Sequence, residues 1–569
     1  MEKQCILNVF IFMAMIFAAF PLAGEAAPLP PTTLPSSADA ARIRPDAATR
    51  EVDRSKDVEF EVPNDSGIAE IPPVAETIHL NLKNVKIEGS TVYSHEELLE
   101  LYKDYLGKEV TLKVAWLIAN RVTELYRNDG YFLSRAYVPA QNIKDGFIFI
   151  KVVEGYIGDV KIDGEADNYV INEYIKNLKA AKPSRAKEVE SFILSLNDLP
   201  GYSLRAVLAA MDDKAGVDEA AVRMTLIPSD KKGRGLITFD NYGSRFLGPH
   251  QILANYSASP IPLHQTTISG LVSTPPQELK YGTLEHQVLF WPYLKLEINA
   301  SNTKAHPGYD LEQFEIESEA KSVGTSLVYQ LIRQRDENLS FKLNLDMVNS
   351  ASTILTTRLT RDHIRAVRFG GNFDINDSWN GYNTGSFTIS KGIAGLGSSH
   401  ADDINLSRDG AKPNFTKTEF MTSRFQGITP EWSAVLSASG QVASGTLYSS
   451  EQFGYGGQTF GRAFDSSEVT GDHGLNGSIE FRYSEFSSLE PIGFSPYSFY
   501  DIGKVWNEDG GQNTDNSGSS AGLGVRFTTL LAFSGNVGLA FPLTRDAATP
   551  FYGENGKNPR IFFEISKEF

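Results

Sequence analysis

Cysteine is nearly absent from this chain of 569 residues: the single thiol, Cys5, lies in an apolar leader. Disulfide chemistry therefore plays no part in the mature protein, which fits an exported chain. Metal and nucleophile patterns are missing as well. The nine histidines, among them His79, His286 and His473, show no ligand spacing, and no nucleophile elbow is present. The glycine-rich run GYGGQTFG lacks the lysine and the strand-to-helix setting of a phosphate loop. No enzymatic activity, metal or cofactor is expected. Beyond the leader there is no apolar run of about 20 residues, which excludes a helical multispan protein. A basic tract is also lacking, and the net charge of -17 argues against nucleic acid as a partner.

What is there begins with a targeting pattern. Lys3 precedes the apolar run Cys5 to Ala23, and Gly24-Glu25-Ala26 offers a small-x-small cleavage site, so residues 1–26 read as a secretory signal peptide. An N-terminal membrane anchor is the alternative. Residues 27–76 are rich in Pro, Ala and acidic groups without sustained periodicity and read as a leader and linker. A short helix is expected at Asp46 to Arg54, entered through Pro45.

From Ile78 the pattern becomes compact. A strand with an irregularity near Asn84 is followed by the capping box Ser94-His95-Glu96-Glu97, which opens a helix with apolar Leu98, Leu101, Tyr102 and Tyr105. A second helix carries Leu112, Ala115, Trp116, Ala119, Val122 and Tyr126. Strands are expected at Tyr131 to Val138 and Phe147 to Val153. The same order then repeats. Tyr156 to Ile162 reads as a strand, Val170 to Leu178 and Ala186 to Leu196 as helices, and Tyr202 to Leu208 and Ala220 to Ile227 as closing strands. Two copies of one small α/β module, 77–155 and 156–230, are expected; a single larger α+β domain is the other reading.

After Pro228 helical signals vanish. Alternating runs such as Leu294 to Ser301, Leu339 to Met347 and Ala521 to Thr528 are separated by Gly, Pro, Asn and Asp clusters. Tight turns alternate with longer loops, and Arg560 to Phe569 is a strand ending on a terminal Phe, with Ile561, Phe563, Ile565 and Phe569 on one face. With the leader, this points to a transmembrane antiparallel β-barrel over 231–569. At about 20 residues per strand and connection it holds about sixteen strands.

Two stretches stand out within it. Phe453 to Phe464, FGYGGQTFGRAF, sets four glycines around Arg462, which suits a tightly turned tip bearing one permanent charge. About forty residues on, Tyr497 to Trp506 alternates strictly, with Phe499, Asp501, Gly503 and Val505 on one face. A lone carboxylate facing lipid is expensive, so that face looks into the lumen. Arg462 must then fold inward to reach Asp501. Across a wet lumen such a pair contributes about 0–1 kcal/mol, with a larger cost where local burial leaves one charge unpaired.

Gly456-Gly457-Gln458-Thr459-Phe460-Gly461-Arg462-Ala463-Phe464 and Phe499-x-Asp501-x-Gly503 resemble the loop-six and strand motifs of two-partner secretion transporters of the hemolysin-activator type. These belong to the superfamily of outer-membrane barrels with periplasmic POTRA domains. Asp129-Gly130-Tyr131, Val153-Glu154-Gly155, Gly201-Tyr202 and Asp240-Asn241-Tyr242-Gly243 are further matches. Gly461 and Ala463 stand where the family has Val and Gly. The resemblance implies export of a large, mostly β-helical exoprotein, hemolysin- or adhesin-like, from periplasm to cell surface without ATP or proton coupling. It also implies two POTRA domains in the periplasm, a barrel in outer-membrane lipid and a plug helix corresponding to Ala40 to Arg54. The strand ending at Phe569 suits recognition by the barrel-assembly machinery. The client is expected to add to an exposed strand edge, for which Tyr202, Leu204, Ala206 and Leu208 are the candidates; the same strand also reads as buried core. Other readings are a barrel-assembly-type insertase and a passive porin with periplasmic domains.

Overall fold

The computed structural model describes residues 34–43, 60–61, 70–143, 145–163, 168–211, 219–230, 233–274, 278–484, 492–508, 516–549 and 555–569. The signal-peptide reading and the helix expected at Asp46 to Arg54 lie outside the described residues. Two 3-10 turns, Ser36–Ala38 and Ala40–Arg42, come first, followed by a two-residue strand, β1 (Phe60–Glu61).

The irregularity near Asn84 marks a change of partner. β2 (His79–Asn81) and β3 (Asn84–Glu88) precede a short helix α1 (His95–Leu99), β4 (Glu109–Thr111) and a long helix α2 (Lys113–Asn128). β2 pairs with β4, whereas β3 runs parallel to β6 (Phe147–Val153), which also takes β5 (Arg135–Tyr137). The strand expected at Tyr131 to Val138 is reduced to three residues. The capping box forms as expected, with Glu97 N–H donating to Ser94 Oγ at 3.3 Å and Ser94 N–H to Glu97 Oε2 at 2.8 Å. α1 nevertheless ends at Leu99, and a 3-10 turn, Lys103–Tyr105, continues the apolar stripe. α2 buries Val114, Ala115, Ile118, Ala119, Val122 and Tyr126 against the sheet.

Glu154 holds the start of this helical region. Its Oε1 accepts from the N–H of Thr91 (2.7 Å), the N–H of Val92 (3.0 Å) and the hydroxyl of Tyr126 (2.6 Å). Burial alone would raise its pKa, but the hydrogen bonds from Thr91 and Tyr126 outweigh it and hold the value below the ordinary one. A depressed carboxylate stabilises the fold above its unfolded pKa, and that contribution disappears as pH falls through the folded value. Amide protection of Thr91 and Val92, read by hydrogen exchange, is expected to be steady from pH 7 to about 5 and to weaken below about 4.3. Glu154→Gln is expected to lower protection at pH 7 and to remove its pH dependence.

The second module contains β7 (Tyr156–Ile162), α3 (Tyr169–Ala180), α4 (Ala186–Asn197), β8 (Tyr202–Ala210) and β9 (Ala221–Asp230), with sheet order β1-β8-β9-β7. Its joint with the first module is built from the matched motifs. The N–H of Ala186 donates to Gly130 O at 2.8 Å, the N–H of Ser184 to Gly155 O at 3.1 Å, and Arg185 lies over the ring of Tyr131.

The barrel opens with β10 (Arg234–Asp240), β11 (His250–Ala258), β12 (His264–Thr274), β13 (Leu279–Trp291) and β14 (Leu294–Ala305). It continues through β15 (Glu317–Arg333), β16 (Glu337–Ile354), β17 (Thr357–Asp377), β18 (Gly381–Gly392), β19 (Thr416–Gly427) and β20 (Trp432–Ala443). A long loop containing the hairpin β21 (Phe453–Tyr455) and β22 (Val469–Gly471) follows. β23 (His473–Tyr483), β24 (Ile492–Trp506), β25 (Asn516–Thr529), β26 (Phe533–Pro542) and β27 (Arg560–Glu568) complete the wall. The order is closed and antiparallel, with β10 paired to β27, so the barrel has sixteen strands.

Alternation decides the faces. Ile298, Leu327, Phe369, Leu436, Ile502 and Leu523 point outward, while Glu297, Ser326, Arg368, Gln441 and Asp501 are buried inside. Strand height is uneven: β10 has 7 residues, whereas β16 and β17 have 18 and 21 and meet in a turn at Leu355 and Thr356. The second module is seated on three module-side turns. Leu263, Leu289 and Tyr293 pack onto its core, Tyr174 Oη accepts from the N–H of Tyr293 at 2.9 Å, and buried Arg333 donates Nη2 to Asp198 Oδ1 at 3.0 Å.

Candidate functional site

The sixth of the far-side loops, between β20 and β23, turns back into the barrel. Its hairpin needs glycine at Gly456, Gly457 and Gly461, with φ of 115°, 109° and 75°. A Cβ on Gly456 would stand 2.1 Å from the carbonyl of Asp465, and one on Gly461 would enter the ring of Tyr455. A valine at 461 would resist this left-handed tip, so Gly461 suits the turn this chain makes.

Arg462 meets Asp501, as the sequence reading required. Nη2 donates to Asp501 Oδ1 at 2.9 Å, Nε to Oδ2 at 3.1 Å, and the backbone N–H to the same Oδ2 at 3.1 Å. The guanidinium lies over the ring of Phe499, 3.6 Å from its centroid. Gly503 supplies space rather than chemistry: a Cβ there would come within 2.1 Å of the Tyr455 ring, which lies flat on the wall. Phe464 is fully buried beside Tyr455, and Gly457 N–H donates to its carbonyl at 3.2 Å.

Two features set the energetics of the pair, and of these the second anion was not foreseen. The pair is buried, with Arg462 8% and Asp501 0% exposed, because Tyr455, Phe460 and Phe464 fill the lumen around it. The small energy expected in a wet lumen therefore does not apply; removing one partner from a buried pair costs about 3–5 kcal/mol. Arg462 also has a second anion. Its Nη1 donates to Glu480 Oε2 at 2.6 Å, and Glu480 in turn holds Arg482 at 2.7 Å and Arg526 at 2.6 Å. Ser478, Glu480 and Arg482 sit at every second position of β23, so their lumen face was legible, but not which loop residue they receive.

The root of the same loop is fastened separately. Glu451, 1% exposed, accepts from Arg368 Nη2 at 2.6 Å and Nη1 at 3.1 Å and pairs with Lys417 Nζ at 3.0 Å. Asp472 at the other root accepts from Arg408 Nη2 at 3.2 Å and from the N–H of Leu447 at 2.9 Å. Leader residues 36–42 lie against this root. Ser449 Oγ donates to Asp39 Oδ2 at 2.7 Å, Arg42 donates to the carbonyls of Ser449 and Gln452, and Ser244 Oγ donates to Ser37 O at 2.7 Å.

On β8, Leu204, Ala206 and Leu208 turn their side chains into the module core, and Tyr202 is half-buried. What this strand offers a partner is its main-chain edge. Phe60 and Glu61 lie along it, in parallel register with Ala206 and Val207.

A closed barrel whose lumen holds an arginine-pinned loop, standing on small α/β modules, defines a POTRA-bearing outer-membrane transporter. Residues 80–155 match the POTRA domain of ShlB type, and residues 219–526 match the haemolysin secretion/activation proteins ShlB/FhaC/HecB. The chain belongs to the ShlB/FhaC/HecB family of two-partner secretion transporters, with its barrel in the outer membrane and its modules in the periplasm. It is 24% identical to the heme/hemopexin transporter protein HuxB of Haemophilus influenzae over 466 residues, 79% of this chain and 80% of that one. It is 20% identical to the outer membrane transporter CdiB of Dickeya dadantii over 427 residues, 69% of this chain and 70% of that one. Among solved structures, CdiB from Escherichia coli shares the fold with a TM-score of 0.67 at 17% identity, covering 89% of this chain and 93% of that one.

Proposed function

We propose that the client is a large, mostly β-helical exoprotein that reaches the barrel unfolded, docks by strand addition on β8 and crosses the lumen past loop six. The observation that carries this reading is a lumen occupied by a loop whose tip is held by one cation between two carboxylates, Asp501 and Glu480. A loop fixed by a few ion pairs can leave without unfolding the wall, and folding of the client outside makes its passage hard to reverse. Main-chain hydrogen bonding along β8 gives affinity without demanding one client sequence. For docking, residues 60–61 must give way, since they lie along the same edge. No covalent step, metal or cofactor enters this mechanism. The terminal strand, ending at Phe569, is the segment offered to the barrel-assembly machinery.

The test is to delete the transporter in its own host and follow the product of a neighbouring reading frame encoding a long, secreted, repeat-rich β protein. The expected result is loss of that protein from the medium and its recovery in the periplasm, with restoration by the intact chain. Unchanged export would refute secretion. General loss of outer-membrane barrels would support the insertase reading, and loss of small-solute flux alone the porin reading.

A further inference from the structure

Among the barrel ladders described, the one that closes it is the shortest: five pairs, Leu236–Asp240 against Glu564–Glu568. Its two ends are finished differently. On the periplasmic side the backbone does the work, with Gly235 N–H donating to Phe569 O at 2.8 Å and Phe569 N–H to Gly235 O at 3.0 Å. On the extracellular side one further backbone bond, Asn241 N–H to Phe563 O at 3.3 Å, is joined by side chains. Fully buried Asn241 donates Nδ2 to the carbonyl of Ile561 at 2.9 Å and accepts at Oδ1 from the N–H of Phe563 at 2.8 Å.

Arg560, 4% exposed, completes that end. Its Nη2 donates to the carbonyls of Asn241 and Gly243, both at 3.2 Å. Its Nη1 donates to the carbonyl of Phe464 at 2.9 Å and to Asp465 Oδ1 at 3.1 Å. One planar guanidinium therefore spans the end of the first strand, the start of the last strand and the part of loop six just past Arg462. Asp465 gathers the flanking loops as well: its Oδ2 accepts from Thr549 Oγ1 at 2.7 Å and from the N–H of Arg245 at 3.4 Å.

We propose that Arg560 and Asp465 are positioning residues that make closure of the extracellular half of the β10–β27 seam depend on loop six being docked. With the loop in place, the cation that bridges the Asn241 and Gly243 carbonyls has its counter-ion. When the loop leaves, Arg560 loses the Asp465 carboxylate and the Phe464 carbonyl together, two of the contacts that orient its guanidinium toward Asn241 and Gly243. The seam has too few ladder bonds there to hold the register alone, whereas the Gly235–Phe569 end is untouched. Release of the loop and loosening of the wall at one seam are thus a single event. The proposal assumes only that loop six can undock; it does not depend on the nature of the client.

Hydrogen exchange on the full-length protein in detergent tests it without any client. In Asp465→Asn the amides of Asn241 and Phe563 are expected to exchange at least about tenfold faster, while those of Gly235 and Phe569 stay at the wild-type rate. Arg462→Ala, which frees the loop tip and removes none of the hydrogen bonds of Asn241, Arg560 or Asp465 given above, should give the same one-sided rise. Combining the two should add little, because both act through one undocked state. Wild-type exchange at Asn241 and Phe563 in Arg462→Ala, equal acceleration at both ends of the seam, or fully additive effects would each overturn the coupling. If Asp465→Asn does not assemble, Arg560→Lys serves in its place: it keeps the charge but cannot reach both strands, and the same one-sided pattern is expected.

Discussion

Arg462→Ala is expected to abolish most export while leaving the barrel assembled. The substitution withdraws the cation from Asp501 and Glu480 and the stacking partner from Phe499. Glu480 keeps Arg482 and Arg526, whereas Asp501 keeps the hydroxyls of Ser478 and Ser520 but loses the Arg462 cation, and it regains water when the loop moves away. The loss therefore falls on the loop. About 3–5 kcal/mol is enough to move a loop from docked to largely undocked. Client in the medium should fall at least about tenfold at unchanged barrel abundance, with a matching rise in the periplasm. Asp501→Ala should act in the same direction, and Arg462→Lys should fall between, because lysine cannot form the fork. Normal export by Arg462→Ala would remove the tip pair from the mechanism.

The largest effect on stability is expected at the root. Glu451→Ala leaves Arg368 with Asp346 and Lys417 with Glu419, two cations in a buried site short of one carboxylate. The cost is again about 3–5 kcal/mol, now borne by the wall as well as by the loop, since the cations sit on β17 and β19. The temperature at which the folded band is lost on an unheated gel should drop by about 5–10 °C. Glu451→Gln should drop less, because its amide oxygen still accepts from Arg368. An unchanged transition in both variants would show that the root cluster holds nothing.

Much of this architecture was legible because it is periodic. The alternation from Phe499 to Val505 located the lumen face of β24 and placed Asp501 on it. The repeat of helix and strand patterns likewise anticipated the elements of both modules. The misreadings were of another kind. Tyr131 to Val138 alternates well enough for a strand, but Phe132, Leu133 and Ser134 form the turn at the module joint. α1 stops early because Leu101, Tyr102 and Tyr105 bury equally well from a tighter helix. Glu480, Arg526, Glu451 and Arg560 were missed because nothing local distinguishes a lumen charge that meets solvent from one that meets a returning loop. Only closure of the sheet brings β23, β24, β25 and β27 around one tip.

The heights of the strands shape the outlet. On β17 the lipid-facing column of Ile375, Phe373, Phe369 and Val367 gives way to His363 and Arg361, so the membrane belt ends well below the turn at Leu355 and Thr356. At about 3.3 Å per residue, the ten residues from Thr357 to Ala366 raise that side some 30 Å along the strand above the lipid. The rim is a parapet on one flank and low on the opposite one, where β10 ends at Asp240. For a polypeptide that leaves beside loop six as proposed, the tall flank is a backboard behind it and the low rim an open sill in front, so its exit would have a direction.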